Sequence, residues 1–129
     1  MILIESMCFP PLSFWLQAMK SKGCILESCE NYQKRSYRNR YLISGPHGVQ
    51  QLSIPLLKGK NEQCPITEVT IDYNQGWQTQ HWRSIQASYG CSPFWEHYNT
   101  RIREMIFNHD KKLWAYNINT IKNIRDQFF

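Results

Sequence analysis

The feature that most constrains the fold is the order of apolar runs in residues 1–27. "MILIE" is a short continuous apolar run, the pattern of a strand covered on both faces, and it ends near Ser6. After "MCFPP", Leu12, Trp15, Leu16 and Met19 fall at helical spacing, and Pro11 suits a first helical turn, where its missing N–H costs nothing. This spacing predicts a helix over about 11–21. Gly23 then ends the helix, and Cys24 to Leu26 form a second apolar run. Strand, helix, strand in so few residues is a βαβ unit, with parallel strands and a right-handed crossover.

The rest of the chain adds to this unit without repeating it. "RYLIS" and "VQQLSIPL", joined by the turn formers of "GPHG", read as a hairpin. "LKGKNEQCPIT" is a polar loop, and "EVTID" alternates Val69 and Ile71 with polar neighbours as a last strand. Three helices should follow. In the first, from Trp77, the residues Trp82, Ile85 and Tyr89 share a face and Gly90 ends the helix. In the second, Ser92 and Pro93 make the cap, with Trp95, Tyr98, Ile102, Met105 and Ile106 at helical spacing. Asp110 opens the third, with Trp114, Ile118, Ile121 and Phe128 on one side. The expectation is an α/β protein: an N-terminal βαβ unit, a mixed sheet of about five strands, then three C-terminal helices. A chain of 129 residues that is 42% hydrophobic suits one domain over 1–129 with one core.

Net charge is +5, which favours anionic partners such as phosphates, nucleotides or nucleic acid. Five cysteines form no CxxC pair, so neither a disulfide framework nor a structural zinc site is expected, and a reducing cytoplasm is the simplest setting. The N-terminal stretch lacks a basic n-region and carries Glu5 and Pro10–Pro11 inside its apolar run, which argues against export. No run of apolar residues is long enough to span a membrane. GxGxxG and GxxxxGK are both absent, and no histidine has metal-ligand spacing with a second His or Cys, so no cofactor and no metal are expected.

The candidate site follows from topology. In an open parallel sheet, ligands bind beyond the carboxyl ends of the strands. The loop containing Cys8, Phe9 and Pro10 falls there, and so does the turn after strand two, which runs into "ENYQKRSYRNRY" at 30–41. In that stretch Lys34, Arg38 and Arg40 would share one face of an extended backbone, and a guanidinium can hold a phosphate through paired hydrogen bonds. Tyr32, Tyr37 and Asn39 add neutral donors. A solvated charge run is the plain alternative, and tyrosine interleaved with cations would also suit single-stranded nucleic acid. His81, beside Trp82 on the first C-terminal helix, is the candidate acid or base, at the margin of the buried face. Cys8 at a helix N-terminus would have a lowered pKa as a nucleophile, with buried inert cysteine as the commoner outcome. Glu5 and Glu27 end adjacent strands and could face one another.

"CFPPLSFW", "ESCENYQKRSYRNR", "LSIPLLKGK" and "IDYNQGWQTQHWRSIQASYGCSPFWEHY" together resemble the WbqC-like protein family, over about residues 2–115. The resemblance implies a cytoplasmic bacterial protein acting on sugar precursors in O-antigen or other surface-polysaccharide synthesis. One implied activity is a transferase that places an acyl or aminoacyl group on an amino sugar, with a phosphorylated or nucleotide-linked sugar as partner. The family pattern falls on Phe9, Pro10 and Phe14, on Tyr32, Lys34, Tyr37, Arg38, Asn39 and Arg40, and on Pro55, Trp77, His81, Tyr89, Pro93 and Phe94. It implies substrate binding by Tyr32, Lys34 and Tyr37 to Arg40, with His81 catalytic. Two departures stand out: Met7–Cys8 replaces a polar pair, and relatives extend further at the C-terminus, so a part of the site is expected to be missing here. A noncatalytic nucleic-acid-binding or interaction module using 30–41 is the alternative.

Overall fold

A computed structural model describes residues 1–57 and 64–128. Most of the expected polar loop, 58–63, lies outside them. The described residues are mixed α/β with four α-helices. Strand β1 (Ile2–Glu5), helix α1 (Leu12–Lys20) and strand β2 (Cys24–Glu27) form the expected βαβ unit, and β1 pairs with β2 in parallel, Ile2 opposite Cys24 and Glu5 opposite Glu27. Strands β3 (Arg40–Gly45) and β4 (Gly48–Ser53) form the expected hairpin, Arg40 opposite Ser53 and Leu42 opposite Gln51. Helices α2 (Trp77–Tyr89), α3 (Trp95–Ile106) and α4 (Leu113–Phe128) follow.

The sheet expectation is corrected. The described residues hold four strands in two separate two-stranded sheets, and no mixed sheet of five. "EVTID" makes only isolated bridges, Thr70 to Lys112 and Ile71 to Leu56, because its partners are a loop and a helix start, neither of which can continue a ladder. Nor is the parallel pair covered on both faces. Leu3 is 64% and Ile25 54% exposed, directly opposite one another on the open face.

The buried residues also form two clusters where one core was expected. The larger gathers Tyr41, Ile43, Leu52 and Ile54 of the hairpin against Trp77, Ile85, Ile106, Leu113 and Tyr116 of the C-terminal helices. The smaller packs Phe14 and Trp15 of α1 on Ile121 of α4, with Ile4, Cys24 and Leu26 beside them. Burying apolar area in this way is the main stabilising term for both. The two clusters follow from the split sheet: each two-stranded sheet is too narrow for both of its faces to be covered by one set of helices.

Two helix starts carry information. Trp77 begins α2 as expected, and Gly90 follows its last residue. Ser92–Pro93 does not cap α3; Phe94 does, with a left-handed backbone at φ +65°. Among the described residues, four non-glycine residues have positive φ: Phe9, Lys22, Arg35 and Phe94. Such conformations cost about 1–3 kcal/mol each and gather at functional sites.

Candidate functional site

The segment 34–39 is built of turns, not an extended strand, so Lys34, Arg38 and Arg40 do not share a face. Arg38 turns inward and is 4% exposed. Its Nε donates to Glu30 Oε1 at 3.1 Å and its Nη2 to Glu30 Oε2 at 2.6 Å and Glu5 Oε2 at 2.7 Å. Burial alone would lower the guanidinium's pKa, but the hydrogen bonds and charges of Glu30 and Glu5 hold it above its ordinary value. The partners come from the end of β1 and from just after β2. Glu5 therefore serves Arg38, although the register does place it opposite Glu27.

Asn39 is also buried. It accepts a hydrogen bond from Tyr32 Oη at 3.1 Å and donates to the Ile54 carbonyl at 3.0 Å. Asn117 of α4 donates to the Arg38 carbonyl at 2.8 Å. Tyr32, Arg38 and Asn39 thus tie the N-terminal unit, the hairpin and α4 together. A buried polar group costs free energy unless it is paired, and these three pair with one another's neighbours.

His81 does not lie at a margin. It is 4% exposed, in the middle of the buried ridge Trp77–His81–Ile85. Its Nε2 is 3.1 Å from the Ser53 carbonyl and its Nδ1 2.8 Å from Tyr41 Oη. A carbonyl only accepts, so Nε2 carries the proton and Nδ1 accepts from the tyrosine. Desolvation lowers the imidazole's pKa to about 4, with the Ser53 carbonyl opposing it, so the ring is neutral near pH 7. Cys8 is fully buried, and desolvation pushes its thiol up, the opposite of an activated nucleophile.

Of the basic stretch, Tyr37 and Arg40 remain at the surface of a small pocket of about 210 Å³, with Arg35, Ser36, Leu42 and Gln51. Arg40 Nε is buried without a hydrogen-bond partner. The Ser36 hydroxyl already donates to the Gln33 carbonyl at 2.7 Å, but two guanidinium groups, one phenol and one amide around a space of this size match the donor set that an oxyanion needs. Arg35, Ser36 and Gln51 escaped the sequence reading as candidate site residues. The hairpin register carried a signal for Gln51, because a two-residue turn between Gly45 and Gly48 places it opposite Leu42 and beside Arg40. Lys34 is exposed and does not line this pocket.

A second, larger cavity of about 610 Å³ adjoins the first. Phe9 and Pro10 of the first loop, Trp15, Tyr41 and Ile43, and the aromatic residues of α3 line it, and Leu42 belongs to both pockets. Phe9 packs on Tyr41 with ring centroids 4.7 Å apart and the rings tilted by 48°. Of the three tyrosines in 30–41, Tyr32 and Tyr41 are buried and only Tyr37 is exposed, which leaves a single ring there for base stacking. Another cleft, of about 520 Å³ between α3 and α4, has Arg101 and Glu104 of opposite charge on its wall and no strained residue. Among the described residues no group of three His, Cys, Asp or Glu could hold a metal ion, and no helix is long and apolar enough to cross a membrane.

The sequence profile of the WbqC-like protein family matches residues 5–128, and so takes in both pockets. The chain belongs to the WbqC-like family. An uncharacterized protein of Mycobacterium tuberculosis (strain ATCC 25618 / H37Rv), Rv1507c, is 36% identical over 62 residues, which is 47% of this chain and 26% of that protein. The match therefore spans about a quarter of that relative. No solved structure matches the chain. Within this WbqC-like chain, the residues to which the sequence resemblance pointed divide into a buried framework (Tyr32, Arg38, Asn39, His81) and a set lining the two pockets, with Phe9, Tyr37, Arg40, Tyr89, Pro93 and Phe94 reaching the surface and Pro10 buried.

Proposed function

We propose that this WbqC-like protein binds the phosphate of a phosphorylated or nucleotide-linked sugar at the Arg35–Arg40 pocket, as a cytoplasmic enzyme of surface-polysaccharide (O-antigen) synthesis. The reaction in this reading is transfer of an acyl or aminoacyl group to an amino sugar. The observation that carries the reading is Arg40 Nε, buried and without a partner beside a pocket that also presents Arg35. A buried guanidinium N–H without an acceptor costs free energy that an oxyanion in the pocket would recover.

In this reading Arg40 and Arg35 neutralise phosphate, and Tyr37 and Gln51 orient it. Arg38 and Asn39 hold the segment in place without meeting the ligand. His81 is a positioning residue: its occupied nitrogens fix the Tyr41 hydroxyl, whose ring forms part of the neighbouring cavity wall. Lys34 contributes to the surrounding positive field that attracts the anion.

The test is a thermal-shift and calorimetric screen against UDP- and dTDP-sugars, with Arg40→Gln as the control. The expected result is stabilisation that the substitution removes. Unchanged stabilisation in R40Q, or none by any nucleotide sugar in the parent chain, would contradict the assignment.

A further inference from the structure

Three of the four strained positions border the two adjoining pockets: Arg35 the basic one, Phe9 and Phe94 the apolar one. Phe94 is 76% exposed at the cavity mouth, so apolar burial does not repay its left-handed backbone in the free protein. The cavity's volume of about 610 Å³ lies inside the roughly 300–1,000 Å³ of small-molecule sites, and its walls are predominantly aromatic and aliphatic. A sugar phosphate alone would leave that space empty.

Leu42 joins the two spaces. Along β3 the peptide groups alternate, and the Ser44 N–H turns from β4 to donate to Tyr89 Oη at 2.8 Å. The N–H and C=O of Leu42, two residues earlier, therefore also turn from β4, toward the same side as the cavity. In order, the surface presents an oxyanion site at Arg40, a backbone donor and acceptor at Leu42, and an apolar cavity between Tyr41 and α3.

We propose that the two pockets form one composite site for an amphipathic anion: a soluble sugar phosphate that carries an acyl chain, the chain filling the aromatic cavity and the phosphate lying on Arg40 and Arg35. A polar amide or ester link between the two would meet the Leu42 peptide group. Phe94 closes over the chain and gains the contact that its exposed ring lacks. This deepens the phosphate-binding reading and rests on it.

Calorimetric titration with octyl phosphate, methyl phosphate and octanol, all below micelle-forming concentration, separates the parts. The expected result is that octyl phosphate binds more than about tenfold tighter than methyl phosphate, the gain from burying as few as two methylenes, and also tighter than octanol, through the charged hydrogen bonds of its phosphate. Phe94→Gly, which suits the left-handed backbone, reduces that gain severalfold while methyl phosphate binding is unchanged; Arg40→Gln weakens both phosphates. Equal binding of octyl and methyl phosphate, with nucleotide-sugar stabilisation intact, would overturn the composite site and leave the phosphate reading standing. Equal binding of octanol and octyl phosphate, with no nucleotide-sugar stabilisation, would overturn both. Co-sedimentation with phosphatidic acid vesicles and no saturable octyl phosphate binding would overturn the soluble ligand in favour of a lipid.

Discussion

Arg38 and Glu30 are joined by two parallel hydrogen bonds, Nε to Oε1 at 3.1 Å and Nη2 to Oε2 at 2.6 Å, in a site where both side chains are largely withdrawn from water. Removing one partner of such a pair strands the other charge. Arg38→Ala is therefore expected to lose about 3–5 kcal/mol of stability. Glu30→Gln should cost more than Glu5→Gln, because the Glu5 side chain is 38% exposed and the Glu30 side chain 15%. Urea unfolding of the three variants checks the order; an Arg38→Ala chain as stable as the parent would show the triad to be dispensable.

Arg40 should behave in the opposite way. Its Nε has no partner, so Arg40→Gln removes an uncompensated buried donor and leaves the stability of the free protein the same or slightly higher. Its loss appears only in ligand binding. Unfolding midpoints with and without a nucleotide sugar measure both properties, and a marked fall in the ligand-free midpoint would mean that Arg40 is structural.

The His81 pKa near 4 makes stability depend on pH. The fold holds the ring neutral, whereas the unfolded chain takes up the proton below about pH 6.5. The contribution of the neutral ring is thus fully present above pH 6.5 and is lost as pH falls from there toward 4. Its size is at most about 3.5 kcal/mol, since a fall from 6.5 to about 4 is roughly 2.5 units at about 1.4 kcal/mol each. His81→Gln should flatten this part of the stability profile. An equally steep profile in the variant would place the titration elsewhere.

Phe94 is exposed and left-handed, so Phe94→Gly should stabilise the free protein by about 1 kcal/mol through relief of backbone strain, less the glycine entropy cost. Thermal unfolding reads this directly. A destabilised variant would mean that the ring contributes more packing than its exposure indicates.

Thiol labelling distinguishes the cysteines. Cys29 and Cys91 are exposed and should react rapidly with a disulfide reagent, whereas Cys8, buried and with its thiol held protonated, should react only on unfolding. Rapid modification of Cys8 in the folded protein would reopen the first loop as a nucleophile site.

Much of the local structure was legible because it depends on near neighbours. The apolar runs and Gly23 give β1, α1 and β2, and the "GPHG" turn gives the hairpin. The expected boundaries of the three C-terminal helices fall within a few residues of those observed. His81 shows where this reading stops. Centring the buried face of α2 on Trp82 put the histidine at the edge, although Trp77, His81 and Ile85 already stood four residues apart in the sequence.

The sequence by itself determined a βαβ unit, a hairpin, a set of amphipathic helices, membership of the WbqC-like family and a basic segment beside the strand ends. Only the tertiary structure decided which cations that segment spends on the protein. Arg38 and Arg40 are the same residue type two positions apart, yet Arg38 meets carboxylates from Glu5 and Glu30, while Arg40 Nε faces none. Periodicity fixes where a side chain starts along its own element. The charges it meets come from residues distant in the sequence, brought together by burial of the core.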